Sequence, residues 1–244
     1  MPEIEDLLGL GPGVLRGALG PSRRPGRVHG VVDLHHLLDS DVAAGVGEAL
    51  AALGLSEAFE GVTEETMAVT VDLDEVGRQL FWTFRFRLRA TRDDVGAYPF
   101  WVVVPDQQHP TTVSTVAGAA VGRRRHVPDL GMTLHELILD VPLRIGDTAV
   151  VEVQVDRRPV APDDDDLEFT LWAPRPTREV EMWVRFAAVV PPVCELRLEP
   201  LVGDVDTRYV DTRGSRSVHL AARRFGPGAM TIRWSQTRST LQDD

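Results

Sequence analysis

Along residues 79–89 polar and apolar positions change places at almost every step. Leu80, Trp82, Phe84, Phe86 and Leu88 fall on one parity, and Gln79, Thr83, Arg85, Arg87 and Arg89 on the other; Phe81 alone breaks the rhythm. Successive side chains of a strand point to opposite faces. The segment 78–91 therefore predicts a long strand with one aromatic face and one polar, basic face. An apolar strip of that length needs a partner surface, which the rest of the chain must supply.

Shorter runs repeat the same rhythm. Met67, Val69 and Val71 alternate before it, and the stretch 72–77 reads as the turn between the two. Downstream, Phe100 to Val104 is a continuous apolar run, and Val113 to Val121 and Leu134 to Val141 read as strands. Val151, Val153 and Val155 share a face, as do Leu167, Phe169 and Leu171, and Val180, Met182, Val184 and Phe186. Residues 194–198, 217–221 and 229–234 add further strands. Arg123 to Pro128 reads as a basic loop. About ten strands separated by Gly, Pro and Asp, with no helical crossovers, predict an antiparallel β-sandwich over residues 62–235.

The front of the chain carries a different period. Apolar residues recur at helical spacing around the breakers Gly11-Pro12-Gly13 and Gly20-Pro21. Val32, Leu34, Leu37, Leu38, Val42, Val46, Leu50 and Leu53 suit one or two helices broken near Ser40, with Gly54 as the stop. A helical N-terminal region over 1–61 and a polar tail over 236–244 complete the predicted organisation: mainly β, with helices in front.

Composition narrows the function. The 244 residues carry 26 basic and 37 acidic groups, a net charge of -11, which argues against a nucleic-acid binder driven by phosphate attraction. Lysine and asparagine, both encoded by AT-rich codons, are absent, which points to a high-GC genome such as that of an actinobacterium. The single Cys194 cannot form an internal disulfide, and the acidic start has no signal-peptide pattern. A cytoplasmic protein is expected.

Within the first twenty residues, Ile4, Leu8, Leu10, Leu15 and Ala18 fit the apolar slots of a helix-turn-helix around a turn at Gly9. Arg16, Arg23, Arg24 and Arg27 would then supply DNA phosphate contacts. Glu5 stands where the motif takes a small apolar residue, and Gly13 and Gly17 weaken the second helix. A structural hairpin is the simpler reading, and specific nucleic-acid binding is not expected.

Two longer stretches, Arg175 to Phe186 and Gly226 to Trp234, together with Pro191-Pro192, Val218 to Leu220, Leu143 to Thr148 and Leu88 to Asp93, resemble the C-terminal β-rich domain of actinobacterial helix-turn-helix regulator-like proteins. The resemblance spans about residues 80–235 and implies a regulatory or ligand-sensing domain. No functional residues carry over with it.

Other chemistry is sparse. Asp33, His35, His36 and Asp39 lie close together but lack the third ligand and spacing of a zinc site, and Asp163 to Asp166 lack the glycine and terminal glutamate of a calcium loop. Asp211, Ser215, Ser217 and His219 include triad residue types without a nucleophile elbow. No glycine-rich phosphate loop occurs, so no cofactor or metal is expected. Arg85, Arg87 and Arg89 form the sharpest charge feature, a surface for an anionic ligand or partner unless acidic neighbours such as Asp72, Glu152 or Glu181 pair with them. The reading that follows is a non-enzymatic regulatory or interaction protein, sensing a small molecule or a partner protein and able to self-associate. The alternatives are an enzyme with an inter-sheet pocket and a DNA-binding regulator.

Overall fold

A computed structural model describes residues 40–103, 111–128, 131–158, 167–188 and 190–235, with the backbone alone at 40–44 and 235. The helix-turn-helix reading with Arg16, Arg23, Arg24 and Arg27, the histidines of residues 29–36, the aspartate run 163–166 and the tail lie outside the described residues.

Among the described residues two helices, α1 (Ser40–Leu53) and α2 (Ser56–Glu60), precede thirteen strands: β1 (Val62–Leu73), β2 (Gln79–Ala90), β3 (Val95–Val103), β4 (Thr112–Ala117), β5 (Ala119–Val127), β6 (Met132–Leu143), β7 (Thr148–Asp156), β8 (Glu168–Ala173), β9 (Thr177–Arg185), β10 (Val193–Pro200), β11 (Asp206–Asp211), β12 (Ser217–Phe225) and β13 (Gly228–Ser235). They form a six-stranded sheet in the order β12-β9-β1-β2-β7-β4, a four-stranded sheet β11-β10-β13-β8 and a three-stranded sheet β3-β6-β5. The protein is mainly β, and among the described residues its strand pairs are antiparallel with one exception. β1 and β9 run parallel, Met67 opposite Val180. The absence of helical crossovers argues against a parallel α/β fold, and this single parallel pair needs none. Here strands of the other sheets make the crossover instead. No helix among the described residues is long and apolar enough to cross a membrane.

The first hairpin is set by local chemistry. Asp74 Oδ1 accepts the backbone N–H groups of Val76 and Arg78, each at 2.9 Å, and Gly77 takes φ 91° to close the turn. An aspartate that accepts from the backbone two residues on is a standard turn-former, and glycine supplies the positive φ without steric cost. β1 and β2 then pair from Val62 opposite Ala90 to Leu73 opposite Gln79.

The inner face of β2 meets both other sheets. Trp82 packs edge-on to Phe169 of β8 at 5.2 Å between centroids, and Phe84 reaches Phe100 of β3 at 5.1 Å. Phe86 lies 5.5 Å from Tyr98 and 6.0 Å from Phe100. Each such aromatic pair adds about 0.5–1.5 kcal/mol beyond the area it buries. Met67, Val69 and Val71 of β1, Val151, Val153 and Val155 of β7, and Val180, Met182 and Val184 of β9 extend the same continuous core.

The helices cover the other face of the three-stranded sheet. Leu50, Leu53, Leu55 and Phe59 bury against Leu134 of β6, with Trp101 and Val127 at the margin. α1 ends at Gly54 (φ 67°), where Leu55 N–H donates to Leu50 C=O. That six-to-one bond satisfies a carbonyl the helix would leave orphaned.

Between β4 and β5 stands only Gly118. β4 pairs with β7 in the six-stranded sheet, while β5 pairs with β6 in the three-stranded one, so the chain changes sheets at this residue. The sequence reading took 113–121 as one strand; it is two, divided by this kink. It also took 123–128 as a loop, whereas Arg123 to Val127 are strand. Gly118 has φ +78°, and a Cβ there would stand 1.9 Å from the carbonyl oxygen of Val150. Gly118→Ala should cost at least ~3 kcal/mol, combining backbone strain with a clash against main chain. Chemical denaturation of the variant checks this, and Gly146→Ala, where φ is also positive but no atom lies within 4 Å, should cost clearly less.

Candidate functional site

The arginines of β2 lie on the solvent face, and carboxylates meet them. Arg85 pairs with Glu152 of β7 at 2.7 Å, and Arg87 and Arg89 both reach Glu65 of β1, at 2.9 and 2.5 Å. The Arg89 hydrogen bond, helped by the positive charge of Arg87, holds the Glu65 carboxyl below its usual range despite some burial. On the same sheet Arg185 is bidentate to Asp72. Exposed pairs of this kind contribute about 0–1 kcal/mol each. Their main effect is to cancel the positive strip.

The residues of the triad reading have other partners. Asp211 holds its neighbour Arg213, Ser215 Oγ donates to the carbonyl of Ser217 at 2.6 Å, and the His219 ring stacks on Trp183 with centroids 4.0 Å apart. Cys194 is buried on β10, and burial pushes its thiol up to about 12, too high for a nucleophilic thiolate at neutral pH. Among the described residues no three His, Cys, Asp or Glu side chains group together to hold a metal ion.

One charged cluster is buried. Glu64 of β1, its side chain fully enclosed, accepts two hydrogen bonds from Arg175 at 2.7 and 2.8 Å and a third from Tyr98 Oη at 2.8 Å. Arg175, in the turn between β8 and β9, also donates to the carbonyl of Phe59 at 2.7 Å, and its guanidinium lies 4.1 Å from the centre of that ring. The cluster ties β1, β3, α2 and the β8–β9 turn together. Burial and the Glu64 charge raise the Tyr98 phenol well above its ordinary value. Every charged atom has a partner, so the arrangement clamps the fold and offers no free group for chemistry. The sequence reading missed it because Glu64 sits among the polar residues Thr63 to Thr66.

Two further buried polar groups stand apart. His135 of β6 is 4 % exposed beside Phe100, and its Nδ1 has no hydrogen-bond partner. Burial, with a smaller push from the charge of Arg124, lowers its pKa to about 4. Glu168 of β8 gives one carboxylate oxygen to Arg233 at 2.8 Å and leaves the other enclosed and unmatched. Burial raises its pKa.

The remaining distinct surface is the edge that β4 and β5 present. Both are terminal strands, and their side chains are largely exposed on both faces. Val116 is 58 % exposed and Val121 37 %, while Ile138, on the neighbouring strand opposite Ala120, is 47 % exposed. Farther along β5, Arg123 is fixed by Glu136 through three hydrogen bonds and donates a fourth to Leu53 C=O. Arg124 and Arg125 follow it, exposed.

No protein-family model matches the chain, and no curated protein matches it. Among solved structures it is similar to a candidate protease from Parabacteroides distasonis, at 10 % identity and a TM-score of 0.46 over 71 % of this chain. It is similar also to a two-domain M1 zinc metallopeptidase bound to L-tryptophan (11 % identity, TM-score 0.33) and to an M1 zinc metallopeptidase from Deinococcus radiodurans bound to a Tyr-Ser-Ala substrate (11 %, 0.31). The chain spans 40 to 43 % of the length of those chains. At scores this low, backbone likeness carries no inference about function.

Two variants test the buried groups. Arg175→Ala should cost about 3–5 kcal/mol, because it strands the Glu64 charge, whereas the joint replacement Arg175→Met with Glu64→Leu should recover most of that loss in denaturant titration. For His135, the folded pKa lies below the unfolded 6.5, so its contribution is present above that pH and lost as pH falls towards about 4. The loss amounts to about 3 kcal/mol. His135→Leu should flatten the fall in stability across that window, as read by denaturation midpoints at stepped pH.

Proposed function

We propose that the protein is a cytoplasmic, non-enzymatic interaction module built as a β-sandwich, with the six-stranded sheet as one layer and the other two sheets as the second. The observation that carries this reading is how the space between the layers is filled. Trp82, Phe84, Phe86, Tyr98, Phe100 and Phe169 close on one another across it, at centroid distances of 5.1 to 6.4 Å. A ligand-binding interior would need a lined, concave space with convergent polar groups. Glu64, Arg175 and Tyr98 at this level are spent on each other, and the unmatched His135 Nδ1 and Glu168 carboxylate oxygen stand singly at its margins rather than converging. Terminal strands face outward with unmet potential, among them the kinked β4–β5 edge, which supports recognition of another polypeptide.

The test uses a photo-crosslinking amino acid placed singly at several surface positions of the full chain, Val121, Tyr209 and Thr83 among them, in cells of the source organism. Discrete polypeptide adducts at one position and not at others are the expected outcome. If no position yields an adduct, and the purified protein instead turns over a metabolite in a cell extract, the enzyme reading replaces this one.

A further inference from the structure

We propose that the kinked β4–β5 edge accepts an extended acidic peptide as an added strand. This rests on the reading of the protein as an interaction module and names the surface and the partner chemistry. Three observations on the same edge converge.

First, the edge is continuous across two sheets. β4 ends the six-stranded sheet, β5 ends the three-stranded sheet, and Gly118 alone joins them. A terminal strand leaves a row of N–H and C=O groups on its outer side, the template that β-addition uses, and here α1 packs beside part of β5, where Arg123 reaches Leu53 C=O, so the added strand must run along the rest.

Second, apolar side chains gather where the edge bends. Val116 and Val121 flank Gly118, with Ile138 beside them, and all three are more than a third exposed. Strand addition gains affinity from the main chain and specificity from side chains of this kind.

Third, the far end of β5 carries positive charge without a counter-ion among the described residues. Arg123 is bound to Glu136, and the strand arginines Arg85, Arg87, Arg89, Arg185 and Arg233 each meet a carboxylate. Arg124 and Arg125 meet none among the described residues, on a chain of net charge -11 that has carboxylates to spare. The same two arginines decide between occupants. A second copy paired antiparallel about the 123–125 segment of β5 would set arginines against arginines, and like charges opposite each other are destabilising. An acidic strand would face them with the opposite sign.

The experiment uses the full chain and a fluorescent ten-residue peptide of alternating valine pairs and glutamate pairs, which puts carboxylates on both faces of an added strand, as Arg124 and Arg125 point to opposite faces. Its controls are the same peptide with lysine for glutamate, and the acidic peptide N-methylated at alternate amides. Anisotropy should report binding of the acidic peptide. Affinity should fall by about tenfold or more with the lysine peptide, with the methylated peptide, and with the Arg124→Glu, Arg125→Glu double variant. Amide shifts in NMR spectra should map to residues 112–127. Because both arginines are exposed, the double variant should keep its Tm, which separates loss of binding from loss of fold.

Equal binding of the methylated peptide would overturn the added strand in favour of simple charge attraction. Indifference to the double reversal, or no binding of the acidic peptide at all, would remove the edge from consideration. Displacement of the peptide by a single-stranded oligonucleotide at near-physiological salt would reassign the arginines to phosphate. In each of these cases adducts formed elsewhere on the surface would leave the interaction-module reading standing, whereas that reading falls with the absence of any adduct.

Discussion

The constraint on which the structure depends is the width of the aromatic face of β2. Trp82, Phe84 and Phe86 stand in line on one strand, with Phe84 and Phe86 stacked at 6.1 Å between centroids. No single small sheet covers that line. Phe169 of β8 takes one end, and Tyr98 and Phe100 of β3 take the other. Two separate sheets must therefore abut the same strand, and the connections around β2 follow from that need. The chain leaves β2 for β3 through Thr91 to Asp94 and returns from β6 to β7 through a turn at Gly146, so both passages between sheets are tight hairpin-like corners. β4 and β5 make the third passage, and there the approach is so close that only a residue without a side chain fits against Val150.

Polar groups divide along the same geometry. On the outward face of the six-stranded sheet, acidic and basic side chains meet across strands and neutralise one another at small energetic value. In the interior, Glu64 with Arg175 and Tyr98 is fully matched, which is the condition under which a buried charge is tolerated. His135 is tolerated by staying neutral. Against that background, Arg124 and Arg125 are adjacent exposed arginines for which neither an ion pair among the described residues nor burial accounts. Burial does not account for the apolar residues near Gly118 either.

The fold was legible in the sequence wherever one face of a strand is buried. β1, β2, β7 and β9 each write most of their burial as a period of two, and their inward apolar residues were read correctly except at the start of β2, where Gln79 is buried and Leu80 only half-buried across an irregularity in the pairing. The method weakens where burial is absent or doubled. β5 is exposed on both faces, so Arg123 to Val127 carry no alternation and read as a loop. Gly118 looked like an ordinary small residue within a run, because a kink between two sheets depends on a carbonyl more than thirty positions away. The parallel neighbour of β1 was invisible for a related reason: parallel and antiparallel partners place the same demand on side chains. The Glu64 cluster depends on a partner 111 residues distant, which no local pattern encodes. The arginines of β2 were seen at once, while their carboxylates became definite only when strand order fixed which neighbours lay opposite.

The parallel pairing of β1 with β9 also bears on how the chain is made. Asp72 and Arg185 lie side by side in the sheet and 113 positions apart along the chain. During synthesis, β1 and β2 emerge early, and they can form their hairpin as soon as they clear the ribosome. One flank of β1 then stays unpaired, and the aromatic face of β2 stays uncovered, until more than a hundred further residues have followed. Contacts so distant in sequence cost loop entropy before they return any stabilisation, which makes such topologies slow to close. Nascent chains in that interval expose both a sheet edge and a hydrophobic face, the combination that chaperones engage. The central strand of the finished molecule is thus also its longest-waiting one.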